Sequence, residues 1–225
     1  MPRNFSDQRN LFDPDSVGFP VHVIGAGGIG STVIQTLAKM GYPIIEVWDN
    51  DTFEMRNGPS EPPYSESYFG LPKVEVAKRM VEYLLGEREK STKIIPHAKR
   101  VTAETRLEGY VICGVDSNTS RKAIFDAVRA SSVNIPFFID ARSAGEMYQV
   151  FSLLPLDPKA TKDYMGWLFD DKEALPLECG ARNIAYVSDG IATLVTRNLT
   201  KAIRGEKVPF MIAENLATLT RTVVD

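Results

Sequence analysis

Cysteine and histidine are both scarce in this chain, and their scarcity excludes several kinds of site. Only two cysteines, Cys113 and Cys179, occur among 225 residues, and there is no CxxC pair. Neither a disulfide framework nor a four-thiolate zinc site is therefore expected, and a reducing, cytoplasmic setting is the default. The only histidines are His22, inside an apolar run, and His97, beside a proline. Neither a histidine-based metal site nor a catalytic triad is expected from them.

Long hydrophobic runs and a strong net charge are absent as well. No apolar run approaches the roughly 20 residues that span a membrane, and the polar N-terminus lacks the apolar core of a signal peptide. A formal net charge of −3 gives no electrostatic reason to expect a nucleic acid or an anionic membrane as partner. The length suits one well-cored domain, which we expect at 19–225 behind an N-terminal arm at 1–18. That arm is either loosely held or reaches a neighbouring subunit.

The most informative stretch covers residues 21–51. An apolar run at 21–24 leads into the glycine turn GAGGIG, a helical spacing of apolar residues follows, and a second apolar run ends in Asp49. Glycines let the backbone approach a phosphate closely, and the start of the following helix offers free N–H groups to it. An acid about 20 residues after the last glycine suits a ribose hydroxyl. The stretch predicts a nucleotide-binding βαβ unit in an α/β fold with a Rossmann-like, mostly parallel sheet flanked by helices.

A long irregular connection at 52–72 and the lysine that follows it extend the predicted site. The connection leaves the second strand on the side where open α/β sheets bind ligands. Connections longer than roughly 12–15 residues are usually functional or disordered, so we expect this one to contribute to the site. Lys73 stands in the first turn of a predicted helix, where the helix dipole disfavours a cation. It is either an exposed surface lysine or a lysine with an anionic partner such as a phosphate.

Two later positions also carry candidate chemistry. Asp116 follows a predicted strand at its ligand side, and it suits a helix cap, a carboxylate of a metal or phosphate site, or both. Cys179 precedes a helix predicted at about 184–203. It is either a small buried hydrophobe or a reactive thiol activated by the helix start and Arg182. The apolar residues within 155–176 indicate a short packed helix or a partner-binding surface. The final segment predicts a last strand, which makes the C-terminal part of the sheet mixed.

Taken in order, these motifs resemble the ubiquitin-activating-enzyme-like (ThiF/MoeB/HesA) adenylyltransferases. The resemblance covers roughly residues 20–205. The matching motifs are GAGGIG at 25–30, DND at 49–51, Asn57, GLPKVEVA at 70–77, GVDSNTSRKAI at 114–124 and the cysteine loop at 179. The resemblance implies ATP and Mg²⁺ as cofactors and a homodimer. It also implies adenylation of a carboxylate, on a ubiquitin-like or sulfur-carrier protein that ends in Gly-Gly or on a small molecule.

The resemblance further implies roles for individual residues. Asp49 would hold the ribose, Lys73 would neutralise charge at the α-phosphate, and Asp116 would position Mg²⁺. Cys179 matches a loop in which some members carry a cysteine for thioester or persulfide chemistry. An N-terminal arginine would reach the γ-phosphate of the ATP bound by the partner subunit. Arg9 is the better candidate for this role and Arg3 the lesser. The other expected nucleotide contacts are Gly25, Gly27, Gly28, Gly30, Asp51, Asn57 and Asn118.

One motif departs from the family pattern, which reads N-x-x-R-Q. Residues 57–61 read Asn-Gly-Pro-Ser-Glu, so Ser60 replaces the arginine. The departure leaves open a non-catalytic, nucleotide-binding member of the family. An NAD-dependent oxidoreductase is the other alternative that the glycine turn permits. It is disfavoured because the sequence has no Tyr-x-x-x-Lys pair, and because Lys73 and Asp116 would have no role in it.

Overall fold

The computed structural model describes residues 3–57, 61, 65–86, 91–169 and 184–225, and a single β-sheet forms its centre. The strands are β1 (Val21–Ile24), β2 (Ile44–Trp48), β3 (Lys93–His97), β4 (Tyr110–Cys113), β5 (Phe138–Ala144), β6 (Met147–Leu153), β7 (Met211–Asn215) and β8 (Thr220–Val224). They lie in the order β3-β2-β1-β4-β5-β6-β7-β8. The first five are parallel, and the last three continue the sheet antiparallel. The predicted mostly parallel sheet with a mixed C-terminal part is confirmed.

Helices cover both faces of this sheet. They are α1 (Gly28–Met40), α2 (Lys73–Leu85), α3 (Asn118–Ala130), α4 (Pro158–Met165) and α5 (Ala185–Ile203). Apolar residues of α1, α2 and α5 pack in one core cluster, and those of α3 and α4 pack in the other. Strand β4 serves both clusters, because Ile112 points to the first and Val111 to the second. Because both faces of the sheet are buried, the parallel strands consist mainly of continuous apolar runs in the sequence and do not alternate between apolar and polar residues.

The strand order reverses between β1 and β4, and this reversal positions the candidate site. In open α/β sheets, ligands bind outside the carboxyl ends of the strands at such a reversal. Gly25 follows β1 and Gly114 follows β4, and the N–H of Gly114 donates to the carbonyl of Ile24 at 2.8 Å. A β-carbon on Gly25 would lie only 2.8 Å from the carbonyl oxygen of Gly114. The two loops therefore approach each other as closely as glycine allows.

The segment after β6 forms a packed helix, which was one of the two interpretations of its apolar residues. Asp157 caps α4 by accepting hydrogen bonds from the N–H groups of Lys159 and Ala160. Tyr164, at the far end of the helix, is fully buried against Phe125 and the sheet. The cap and the buried ring together hold this short helix against the β4–β6 part of the sheet.

The described part of the N-terminal arm packs on the core and is not loosely held. The guanidinium of Arg3 donates to the carbonyl of Ala38, and the amide of Gln8 donates to the carbonyl of Met40, both at 2.7 Å. These carbonyls belong to the last turn of α1, where a cation is favoured by the helix dipole. Phe12 is buried and stacks on Tyr42. Among the described residues, no helix combines the length and apolar character that a bilayer span requires.

Candidate active site

The glycine turn brings the start of α1 directly against β1. Gly25 has a positive φ of 96°, which a side chain would disfavour. A β-carbon on Gly30 would lie 1.7 Å from the carbonyl oxygen of Gly25, so no side chain fits there. Gly27 is the N-cap residue, and no side chain of the residues that the structure describes caps the helix start. The first N–H groups of α1 thus remain suited to an anionic ligand.

Asp49 joins the end of β2 to this turn. Its Oδ2 accepts a hydrogen bond from the N–H of Ala26 at 2.7 Å, and its Oδ1 accepts one from the N–H of Asp51 at 2.8 Å. Burial raises the pKa of Asp49, while the two N–H donors and Lys73 act to lower it. Each carboxylate oxygen retains a second lone pair, so the side chain can still accept a bond from a ligand hydroxyl.

Lys73 opens α2 and is largely buried rather than an exposed surface lysine. Its N–H donates to the carbonyl of Asp51 at 2.9 Å, which places the helix start beside the end of β2. Its Nζ lies 2.9 Å from Oε1 of Glu61, and the two side chains are only 11% and 7% exposed. Of the two interpretations of Lys73, the structure shows the one with an anionic partner. That partner is the carboxylate of Glu61, a residue of the same chain.

Glu61 lies at the centre of the candidate site, although it was not among the predicted site residues. Its Oε1 accepts hydrogen bonds from Lys73 and from the Nδ2 of Asn57, the latter at 3.0 Å. Its Oε2 is buried and has no hydrogen-bond partner among the described residues. Burial raises the pKa of Glu61, and Lys73 opposes that rise. The only sequence signal was that Glu61 occupies the glutamine position of the N-x-x-R-Q pattern.

These elements enclose a small cleft. The space between them is about 200 Å³ and is open to solvent. The residues that line it come from the turn, from α1, from the 52–72 connection and from α2; they are Ala26, Ser31, Phe53, Glu61, Lys73, Val76 and Ala77.

Asp116 lies in the loop between β4 and α3, at the carboxyl edge of the sheet, and it is exposed. The interpretation of Asp116 as the helix cap is wrong, because Ser117 is the N-cap and its Oγ accepts from the N–H of Ser120 at 3.2 Å. Asn118 is buried in the first turn of α3. An exposed carboxylate at this edge is chemically suited to Mg²⁺, which prefers oxygen ligands. The described residues contain no cluster of three or more metal-binding side chains.

Two predicted residues are not brought to this cleft. Arg9 is exposed and forms ion pairs with Asp13 and Asp15, in the arm that packs at the C-terminal end of α1. That end of the helix is opposite the glycine turn, so Arg9 does not reach the cleft of its own chain. Cys179 and Arg182 lie outside the described residues.

A buried charged cluster supports the neighbouring part of the sheet. Asp140 of β5 is fully buried and accepts hydrogen bonds from Arg121 at 3.1 Å, from Arg142 at 2.7 Å and from Tyr164 at 2.9 Å. The guanidinium of Arg121 also donates to the carbonyl of Val115, directly before Asp116. The cluster therefore ties the loop that carries Asp116 to α3 and β5. The spacing of residues along the chain does not predict this cluster, because its members are spread over α3, β5 and α4.

Comparison with known families decides the classification of this chain. The profile of the ThiF family matches residues 18–222. The chain belongs to the ThiF family. The match begins just before β1 and ends within β8, so it includes strands β1 to β7, the glycine turn, Lys73 and Asp116.

Curated proteins similar to this ThiF chain include two NEDD8-activating enzyme E1 catalytic subunits. The Arabidopsis thaliana protein is 33% identical over 131 residues, which are 51% of this chain and 28% of that protein. The Caenorhabditis elegans protein is 32% identical over 127 residues, which are 55% of this chain and 27% of that protein. The match thus spans little more than a quarter of these curated relatives.

Solved structures show that the ThiF fold extends through nearly all of the chain. Escherichia coli MccB with ATP superimposes with a TM-score of 0.70 and 18% identity, over 94% of this chain and 65% of that one. The complex of MccB with MccA gives a TM-score of 0.73 and 17% identity, over 99% and 72% of the two chains. PaaA gives a TM-score of 0.69 and 16% identity, over 94% and 65%. At such identities the superpositions establish the fold.

Proposed function

We propose that this protein is an ATP-dependent adenylyltransferase that activates a carboxylate and releases pyrophosphate. The observation that carries the proposal is that three groups lie together at the carboxyl edge of the sheet in a chain of the ThiF family. They are the glycine turn at the start of α1, the acid Asp49 at the end of β2, and the largely buried Lys73 at the start of α2. An NAD-dependent oxidoreductase would need the first two and would leave Lys73 without a task.

The proposed reaction is the attack of a carboxylate oxygen on the α-phosphorus of ATP. A new oxygen–phosphorus bond forms the acyl-adenylate, and the bond between the α-phosphorus and the bridging oxygen of the β-phosphate breaks. Pyrophosphate leaves with that electron pair, so no proton has to be transferred. Because one anion attacks another, the step needs charge neutralisation more than acid–base chemistry. Lys73 would supply it at the α-phosphate, and Asp49 would hold the ribose through its remaining lone pairs.

Mg²⁺ bound with the nucleotide would supply further neutralisation of the phosphate charge. In this proposal Asp116 positions the ion, since its exposed carboxylate stands at the ligand edge of the sheet. The buried pair of Arg121 and Asp140 would hold the loop of Asp116 in place. The glycines of the turn, together with Asp51, Asn57 and Asn118, would complete the nucleotide contacts.

The acceptor that we propose is the C-terminal carboxylate of a ubiquitin-like or sulfur-carrier protein ending in Gly-Gly, or of a peptide. It is supported by the names of the similar proteins, which are NEDD8-activating enzyme E1 catalytic subunits, and by the structure of MccB with MccA. A small free carboxylate is the alternative acceptor. We further propose a homodimer in which Arg9 of one subunit reaches the other subunit's γ-phosphate, and a covalent role for Cys179 after adenylation.

Pyrophosphate exchange tests the proposed function. Labelled pyrophosphate should enter ATP only when a carrier protein ending in Gly-Gly, a peptide or a small carboxylate is added. Lys73→Ala should reduce exchange by roughly a hundredfold or more, as expected when a charge that stabilises the transition state is removed. Arg79→Ala removes an exposed cation from the same helix and should leave exchange unchanged.

Two results would contradict this function. The first is ATP-independent oxidation of NADH, which would favour the oxidoreductase. The second is ATP binding without exchange for any acceptor, which would favour a non-catalytic member.

A further inference from the structure

The Glu61 carboxylate lies in the part of the cleft that is best suited to an anion. Its Oε1 accepts from Lys73 at 2.9 Å and from Asn57 at 3.0 Å. A β-carbon on Gly27, the N-cap of α1, would lie 3.7 Å from that same oxygen. The carboxylate thus contacts the buried lysine and reaches the uncapped helix start, which are the two features that would bind a phosphate.

The second oxygen of Glu61 shows that this arrangement is incomplete. Within the part of the chain that the structure describes, Oε2 is buried without a hydrogen-bond partner, and the side chain is only 7% exposed. A buried, unpaired carboxylate oxygen is costly. The pair with Lys73 recovers part of that cost, but the carboxylates of Asp49 and Asp51 also act on Glu61 and repel it. The side chain is therefore held in place mainly by Lys73 and Asn57.

Charge opposes the simultaneous presence of Glu61 and a phosphate. A phosphate beside Lys73 would stand within a few ångströms of the Glu61 carboxylate, and like charges at that distance repel strongly where water is excluded. Glu61 and Lys73 line the same cleft. A phosphate that pairs with Lys73 would therefore compete with the Glu61 carboxylate for one position.

We propose that the Glu61 carboxylate occupies the position of a nucleotide phosphate in the free protein, and that a nucleotide binds by displacing it from Lys73. This inference rests on the proposed function, because it assumes that the cleft binds ATP. Displacement exchanges one anion on Lys73 for another, so the lysine stays paired in both states. It also moves Oε2 out of its unsatisfied position. Glu61 is then a residue that sets nucleotide affinity, and it excludes weakly binding anions from the empty cleft.

Glu61→Gln tests this inference, since it removes the charge and keeps the size of the side chain. The variant should bind ATP with Mg²⁺ about tenfold more tightly than the wild type, because no charged group has to be displaced. Adenosine lacks phosphates, so its affinity should be the same for both proteins. Displacement of a fluorescent ATP analogue measures both ligands. Glu66→Gln is the matched control, because it is the same substitution at an exposed position of the same connection.

The outcomes separate this inference from the proposed function. Equal or weaker ATP binding by Glu61→Gln would overturn the inference, since the carboxylate would then be neutral or helpful to the nucleotide. Equal tightening for adenosine would overturn it as well, because the effect would not come from the phosphate. Absence of nucleotide binding in the wild type and in the variant would overturn the proposed function together with it. If Glu61→Gln does not fold, Glu61→Ala removes the same charge and carries the same expectations.

Discussion

Asp49 and Ala26 are joined by a hydrogen bond of 2.7 Å between the Asp49 carboxylate and the backbone N–H of Ala26. The acid predicted to hold a ribose is therefore also a support of the glycine turn predicted to hold the phosphates. Its other oxygen accepts from the N–H of Asp51 and orders the end of β2. One side chain thus connects two parts of the proposed nucleotide site.

Asp49→Asn is expected to weaken ATP binding by roughly tenfold to a hundredfold, because a hydrogen bond to a charged acceptor is worth about 1.5–3 kcal/mol. The amide also presents an NH₂ group to one of the two backbone donors. Equilibrium binding of a fluorescent ATP analogue measures the loss. Asp126→Asn, on the exposed side of α3, is the control and should bind like the wild type. Unchanged affinity of Asp49→Asn would remove this residue from the nucleotide site.

Gly30→Ala is expected to destabilise the fold by about 3 kcal/mol or more, at the upper end of overpacking effects. The new β-carbon would lie 1.7 Å from the carbonyl oxygen of Gly25, so α1 or the turn must shift. Gly18→Ala is the control, because no atom lies within 4 Å of the added carbon. Urea unfolding followed by circular dichroism compares the variants. Equal stability of the two variants would show that the space between α1 and the Gly25 turn accommodates a β-carbon at position 30.

Asp140→Asn is expected to cost about 3–5 kcal/mol at neutral pH, since it leaves the buried Arg121 without its counter-charge. Asp126→Asn breaks only the exposed pair with Lys122 and should cost about 0.5 kcal/mol or less. Urea unfolding of both variants and of the wild type measures these costs. A loss below 1 kcal/mol for Asp140→Asn would contradict the structural role of this cluster.

The same cluster determines how the unfolding free energy changes with pH. Burial acts to raise the pKa of Asp140, but Arg121, Arg142 and the hydrogen bonds outweigh it and hold that pKa below its usual value of 3.8. The charged carboxylate therefore stabilises the fold fully above about pH 4, and the stabilisation is lost as the pH falls through the lowered pKa. The difference in unfolding free energy between wild type and Asp140→Asn should stay constant from pH 7 to about 5. It should shrink only in stronger acid, and a decrease already near pH 6 would contradict this assignment.

Cys113 is expected to be unreactive while the protein is folded. It is fully buried, and burial raises the pKa of its thiol. In a Cys179→Ser variant, a disulfide reagent should label Cys113 at least roughly a hundredfold more slowly in buffer than in denaturant, since labelling requires opening of the core. The difference in labelling between the wild type and this variant then gives the reactivity of Cys179. Rapid labelling of the variant in buffer would show that β4 is accessible.

Much of the fold was predictable because its signals are local. The glycine turn, the apolar strands on either side of α1, and helix α5 are predicted by the spacing of apolar residues. The residues that end each element, glycine above all, lie within a few positions of them. The position of Pro96 in β3 is tolerated because that strand lies at the sheet edge, where a missing N–H costs little. The N-cap of α3 was wrong by one residue, at Asp116 instead of Ser117, because adjacent residues that both suit a cap are distinguished only by backbone geometry.

The sequence by itself determined the nucleotide unit and the family, since the turn, Asp49, Lys73 and Asp116 each belong to a short motif in a fixed order. Only the tertiary structure decided what these residues contact. It brought Glu61 onto Lys73 and gathered Arg121, Arg142 and Tyr164 around Asp140. Such pairings depend on burial and on contacts between distant elements, which no spacing along the chain encodes. Lys73 was predicted to be either an exposed lysine or the partner of an anion, and the fold supplied an anion from the chain itself.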